Sequence, residues 1–142
     1  MTDLKFIEAA VDAQAERILD ANDRIWEYAE PPFKEMQSSA LLGRLLKEAG
    51  FTVETGLAGI PTCFTGTFVF GTGKPVMGIL GEYDALPGLS QEAALPVKKE
   101  REAGGFGHGC GHCVLGAASL AAEIAVKNYL EEFKKDGTII YF

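Results

Sequence analysis

Four side chains that commonly bind metal ions lie within one short string. In GFGHGCGHCVLG, residues 105–116, His108, Cys110, His112 and Cys113 fall within six positions, and they include both histidines of the chain. Thiolate and imidazole are the ligands that zinc and similar divalent ions prefer. A position at a helix N-terminus also favours a thiolate over a thiol. The string predicts a metal site; a glycine-rich helix start with a buried cysteine and a capping histidine is the alternative.

A second string, GEYDALPG, places Glu82 and Asp84 directly after an apolar run. Alternate residues of an extended chain point the same way. In open α/β sheets, ligands bind beyond the carboxyl ends of the strands. The two carboxylates are therefore candidates for a cation site, and the alternative is that they only end a strand and solvate a loop. Cys63 lies in a β-rich run and is predicted to be a small core residue.

Three predicted helices position these strings. Residues 4–28 carry apolar side chains at helical spacing and predict one long amphipathic helix. Pro31 and Pro32 end it, and a second helix runs to about Ala49, with Gly50 at its left-handed cap. The third helix runs from about His112 to Phe133. Its predicted buried face consists of Val114, Leu115, Ala118, Ala122, Ala125 and Tyr129.

Short β-rich runs separated by glycine occupy the middle of the chain. The nearly all-apolar run 76–80 predicts a central strand covered on both faces. Gly71, Gly73 and Pro75 before it predict a hairpin or a tight reversal. Residues 85–111 contain no predicted regular element, and a loop of this length is usually functional or disordered. After the Asp136-Gly137 turn the chain ends in a strand that is still apolar at Phe142.

Composition narrows the possible functions. The 142 residues include 13 Lys+Arg and 20 Asp+Glu, giving a net charge of -7. An acidic chain lacks the basic face that a nucleic-acid partner requires. No apolar stretch reaches the roughly 20 residues of a membrane-spanning helix, and charges interrupt the N-terminus where a signal peptide would be apolar. We therefore expect a cytoplasmic protein with reduced thiols and a small-molecule substrate, without nucleic-acid or membrane partners.

The strings together resemble a known family over essentially the whole chain. IWEYAEPPFKEMQSS, AGIPT, GILGEYDALPGLSQ and GHGCGHCVLGAASLAA are similar to the aminobenzoyl-glutamate hydrolase branch of the zinc aminoacylase and carboxypeptidase family of metallopeptidases. The resemblance implies a three-layer α/β/α catalytic domain with two divalent metal ions, zinc or manganese, and an inserted dimerisation domain. It also implies a homodimer that hydrolyses an amide bond to an amino acid, in aminobenzoyl-glutamate-like or N-acyl amino acid substrates.

Carried over by position, the resemblance assigns roles to single residues. It makes Cys110 and His112 metal ligands and Asp84 the catalytic acidic residue that orients the metal site. Glu82 stands where more distant relatives have a histidine ligand. Glu82, His108 and Cys113 are thus further candidates, either as metal ligands or as residues that contact the ligands. Cys113 departs from the family, in which an Asn or Asp follows that histidine.

The family's general-base and metal-ligand glutamates follow a strand like TIIYF, at which this chain ends. The resemblance therefore implies that residues 1–142 are the N-terminal part of the catalytic domain, without the insert domain and the C-terminal half. Such a chain would have little or no activity and could self-associate through an exposed strand edge. The alternative function is a stand-alone small metal-binding or redox module that uses Cys110, His112 and Cys113.

Overall fold

The computed structural model describes residues 2–142. In chain order the elements are α1 (Asp3–Asp12), α2 (Ala15–Tyr28), α3 (Met36–Glu48), β1 (Thr52–Thr55), β2 (Phe64–Phe70), β3 (Val76–Ile79), β4 (Leu86–Pro87), β5 (Phe106–Gly107), α4 (His112–Glu132) and β6 (Gly137–Tyr141). A short 3-10 helix at Leu57–Gly59 joins β1 to β2. Helices therefore flank the β-rich middle of the chain, and one more strand, β6, follows α4.

The main sheet has four strands in the order β1-β2-β6-β3. Strand β2 pairs antiparallel with β1 and β6, whereas β3 pairs parallel with β6. Because β6 lies between β2 and β3, the predicted hairpin at Gly71 and Gly73 is wrong, but the alternative of a tight reversal is confirmed, since β2 and β3 run in opposite directions. The prediction of a covered central strand at 76–80 is also wrong, since β3 is an edge strand with Val76 60% exposed. An apolar run indicates what kind of surroundings a strand suits, but it does not specify the neighbouring strands.

Helices α3 and α4 cover one face of this sheet. Leu46 of α3 packs on Gly66 of β2, where a Cβ would come within 2.7 Å of the leucine Cδ1. Leu130 of α4 packs in the same way on Gly137 of β6. Helices α1 and α2 pack on α4 instead of the sheet. The described residues thus form a sheet with helices on one of its faces, whereas the resemblance implies helices on both.

The region predicted to be one long first helix contains two. Helix α1 ends at Asp12, where the Ala13 N–H donates to Ala9 O, and α2 starts at Ala15. Neither Ala13 nor Gln14 is a helix breaker, so local composition gave no sign of this interruption.

Helix α4 has the predicted extent, but its buried face matches the prediction only in part. Ala125 is buried as predicted, whereas Val114 is 56% exposed, Leu115 is 40% exposed and Ala118 is exposed, contrary to prediction. The other buried positions include Cys113, Gly116, Ala117, Leu120, Ala121 and Ile124. Because small and apolar residues surround most of this helix, periodicity could not select its buried side. Within residues 2–142, α4 is also the helix that is long and apolar enough to cross a membrane, yet 56% of that window is buried inside the fold, as expected of a core helix.

Candidate metal centre

The segment that carries the two predicted carboxylates leaves β3 and is fixed on both sides. Gly81 N–H donates to Phe142 O at 2.7 Å, and Ala85 N–H donates to Glu30 O at 2.8 Å. The Tyr83 hydroxyl donates to Thr62 O at 2.6 Å. Tyr83 packs against the core, while its two neighbours, Glu82 and Asp84, are directed to the other side. The period of two therefore places both carboxylates together, as the sequence predicts.

His112, the first residue of α4, lies between these carboxylates. Its Nδ1 is 2.8 Å from Asp84 Oδ1, and its Nε2 is 3.0 Å from Glu82 Oε2. The side chains of His112 and Asp84 are 20% and 21% exposed, and that of Glu82 is 41% exposed. Ligand atoms of the three residues all lie within 4.8 Å of one another. We call Glu82, Asp84 and His112 the carboxylate–histidine cluster.

The donor chemistry of this cluster fits a divalent ion. One imidazole nitrogen and carboxylate oxygens are ligands that zinc and manganese accept. An imidazole that ligates through Nε2 keeps its proton on Nδ1, and Asp84 is placed to accept that proton in a hydrogen bond. Such a carboxylate partner fixes the tautomer and the orientation of a ligating histidine. Glu82 and His112 would hold the ion, and Asp84 would orient His112.

The two neighbouring cysteines lie outside the cluster. Cys110 is exposed in the turn before α4. Cys113 is 3% exposed and belongs to the hydrophobic core, where burial raises the pKa of its thiol. For residues 2–142, the carboxylate–histidine cluster is the group in which three potential ligands meet. Ligation by Cys110 stays a prediction of the resemblance. Cys63 is half-buried next to β2.

His108 is held against α2 and not against the cluster. Its Nε2 lies 3.0 Å from Ile25 O, so Nε2–H donates to this carbonyl. Nδ1 is then an acceptor, and it is buried without a hydrogen-bond partner. Burial is the main cause that lowers the pKa of His108, which keeps the ring neutral.

A cleft that the sequence analysis did not predict opens beside His108. It has a volume of about 670 Å³ and lies between the C-terminal end of α2 and residues 89–109. Part of the long predicted loop is ordered by the β4–β5 pair. Arg101 fastens the loop to α2, since its guanidinium is 2.6 Å from Glu27 Oε2 and 5.1 Å from the ring centre of Trp26. The length of the loop was the only indication of this cleft in the sequence.

Comparison with known proteins adds sequence relatives. No family model matches the chain. One of the subunits of the p-aminobenzoyl-glutamate hydrolase of Escherichia coli (strain K12) is 44% identical over 97% of this chain and 28% of the relative. Thermostable carboxypeptidase 1 of Saccharolobus solfataricus is 31% identical over 78% of this chain and 28% of the relative. The chain thus spans little more than a quarter of the length of these relatives.

Solved structures confirm the α/β fold class. A protein of methicillin-resistant Staphylococcus aureus described as an aminohydrolase matches 99% of this chain and 34% of its own, with a TM-score of 0.71 and 20% identity. A dinuclear metal-binding peptidase of the M20 family from Bacillus subtilis matches 92% of this chain and 34% of its own, with a TM-score of 0.68 and 21% identity. In sequence this chain is similar to aminobenzoyl-glutamate hydrolase and carboxypeptidase chains, and in fold to structures that include an M20 peptidase, over about a quarter to a third of their lengths.

Proposed function

We propose that this chain supplies a metal-holding part of a metal-dependent amidohydrolase that cleaves an amide bond to an amino acid. The observation that carries the proposal is the meeting of Glu82, Asp84 and His112 at one end of the sheet. The 44% identity to the E. coli p-aminobenzoyl-glutamate hydrolase chain supports an aminobenzoyl-glutamate-like or N-acyl amino acid substrate.

The chain's own contribution is to hold and orient the ligands. Glu82 and His112 offer the donor atoms, while Asp84 fixes the ring of His112. Hydrogen bonds from Tyr83 and Ala85 hold the segment that carries Glu82 and Asp84. The cluster is therefore assembled before an ion binds. Glu82 and His112 would hold the divalent ion, which would supply Lewis-acid chemistry by lowering the pKa of a bound water and polarising the scissile carbonyl.

The general base is proposed to come from a part of the protein outside these 142 residues. The isolated chain is then expected to bind zinc or manganese and to hydrolyse aminobenzoyl-glutamate slowly or not at all. Homodimer formation and a cytoplasmic location of the full-length protein remain parts of the same proposal.

A chimera tests this function directly. This chain replaces the matching region of the E. coli relative, and release of aminobenzoate from aminobenzoyl-glutamate is measured with zinc or manganese present. We expect metal-dependent hydrolysis that falls by at least about 100-fold in His112→Ala, because a ligand is lost. Glu54→Gln, an exposed carboxylate on β1, serves as the control. Full activity of the His112→Ala chimera would contradict the proposal.

The alternative of a small metal-binding or redox module has less structural support. Thiol–disulfide and metal chemistry need an accessible thiolate. Burial raises the pKa of Cys113 and places it in the core, whereas Cys110 is exposed.

A further inference from the structure

The walls of the cleft between α2 and residues 89–109 suit a flat, apolar group. Its volume of about 670 Å³ is in the range of small-molecule sites. Trp26, Leu89, Leu95 and Phe106 line it. The last three are 41%, 42% and 36% exposed, so a bound ring would remove substantial apolar surface from water.

Apart from Arg101, the charged side chains of the lining are carboxylates, which accept hydrogen bonds. Glu102 forms no ion pair in the described part of the chain, and the carboxylate of Glu92 is 3.9 Å from the Lys99 ammonium. His108 lines the cleft as well, but its Nδ1 is buried and its Nε2–H already donates to Ile25 O. Arg101, the cation of the lining, is already engaged by Glu27 and Trp26. A matching ligand must donate hydrogen bonds and carry no negative charge at this end.

We propose that the cleft binds the aryl-amine end of an aminobenzoyl-type amide, while the carboxylates of the amino-acid end stay outside. The proposal rests on the proposed function, because it assigns one half of that substrate to a subsite. An aromatic ring with an amino group meets both demands of the lining, a flat apolar body and N–H donors. A glutamate side chain would instead be repelled by Glu92 and Glu102.

The position of the cleft relative to the cluster agrees with this assignment. His108 lines the cleft and lies four positions before His112 in the chain. Gly111 N–H donates to His108 O at 3.0 Å, so one tight turn joins His108 to His112 at the start of α4. A substrate whose ring occupies the cleft would therefore extend its amide towards the carboxylate–histidine cluster.

Trp26 provides a direct reporter of binding, because it is the only tryptophan of the chain. Its indole N–H gives one signal in a two-dimensional NMR spectrum of the isotope-labelled 142-residue chain. The chain is titrated with para-aminobenzamide, benzamide and para-carboxybenzamide. We expect a saturable shift with para-aminobenzamide, binding of benzamide weaker by about fivefold or more, and no saturable shift with para-carboxybenzamide.

Two variants of the lining and one distant control locate the site. Phe106→Ala removes an aromatic wall, and Glu102→Gln removes one charged acceptor from an exposed position. Each is expected to weaken para-aminobenzamide binding by about threefold or more. Arg44→Gln, which breaks an exposed ion pair on α3, should leave binding unchanged. The assignment would be overturned if para-aminobenzamide caused no saturable shift. It would also be overturned if Phe106→Ala and Glu102→Gln both bound para-aminobenzamide as tightly as the unaltered chain.

The titration separates this subsite from the proposed function, because it measures binding without turnover. Saturable amine binding together with an inactive chimera would overturn only the proposed function. An active chimera whose Trp26 signal does not respond to the amine would overturn only the subsite.

Discussion

The Nδ1 atom of His112 lies 2.8 Å from Oδ1 of Asp84, although the two residues are 28 positions apart in the chain. This contact joins the loop after β3 to the first turn of α4. It brings together the GEYDALPG and GHGCGH strings, which are separated in sequence by the whole loop that lines the cleft. The contact makes the orientation of His112 depend on the charge of Asp84.

Replacing Asp84 should weaken metal binding without unfolding the chain. Asp84→Asn keeps the size of the side chain and an oxygen that can accept from Nδ1–H, but it removes the negative charge. We expect zinc affinity to fall roughly 10- to 100-fold, as for other carboxylate partners of ligating histidines. Competition with a chromophoric chelator measures the affinity, with Glu54→Gln as the control. Equal affinity of Asp84→Asn and the unaltered chain would show that Asp84 does not orient the ligand.

The two cysteines near the cluster should differ in reactivity. Cys110 is exposed, whereas Cys113 is buried and the pKa of its thiol is raised. At pH 8 iodoacetamide should therefore alkylate Cys110 quickly and Cys113 only when the chain unfolds, because the thiolate is the reactive form. Peptide mapping by mass spectrometry measures both rates.

Added zinc extends this experiment to the ligand set. The resemblance predicts that zinc slows alkylation of Cys110. An unchanged rate at zinc concentrations that saturate the chain would confine the ligands to the carboxylate–histidine cluster.

Much of the site could be predicted from sequence because its residues occur in two compact strings. The period of two after an apolar run placed Glu82 and Asp84 on one side, and His112 at the start of α4 was predicted from helical periodicity. The position of Cys113 could not be predicted, because a cysteine suits a metal site and a hydrophobic core equally well. The cleft also escaped prediction, since contacts such as that of Arg101 with Trp26 join residues far apart in the chain.

The elements of the fold were predicted better than their arrangement. Periodicity and glycine positions located α3, α4 and the strands of the main sheet, but not β4 and β5. Gly50 has a positive φ, as predicted, with a value of 92°. Strand order was not predictable, because the partner of β3 is β6, which lies roughly 60 residues later in the chain. The buried face of α4 was predicted only in part, because apolar residues occur on nearly all its sides.

A buried carboxyl group in α4 should make stability depend on pH. Glu123 is 0% exposed, neither of its carboxyl oxygens has a hydrogen-bond partner, and burial raises its pKa from 4.5 to about 8. The folded state thus binds this proton more tightly than the unfolded state. The resulting stability is fully present below pH 4.5 and is lost as the pH rises towards about 8.

Glu123→Gln removes this titration while keeping the shape of the side chain. As the pH rises from 4.5 to about 8, we expect the variant to gain stability relative to the unaltered chain by a total on the order of 5 kcal/mol. Urea unfolding at several pH values measures the difference. A difference that stays constant with pH would mean that Glu123 does not titrate in the folded chain.

Two glycine substitutions with opposite expected effects test the packing of the loop. A Cβ on Gly107 of β5 would lie 1.9 Å from Leu89 O, whereas a Cβ on Gly43 of α3 would lie 3.7 Å from the nearest atom, Val53 Cγ1. We expect Gly107→Ala to cost about 1–3 kcal/mol and Gly43→Ala to be neutral or to stabilise by up to about 1 kcal/mol. Urea unfolding compares the two, and a neutral Gly107→Ala would show that the loop adopts another conformation.

Zinc content is the measurement that decides whether Glu82, Asp84 and His112 form the metal centre. The chain, His112→Ala and His108→Asn are each equilibrated with zinc, dialysed and analysed by elemental mass spectrometry, with circular dichroism to verify the fold. We predict near-stoichiometric zinc in the unaltered chain and in His108→Asn, and its loss in His112→Ala. Zinc that persists in a folded His112→Ala chain, or that is lost equally in His108→Asn, would contradict this assignment.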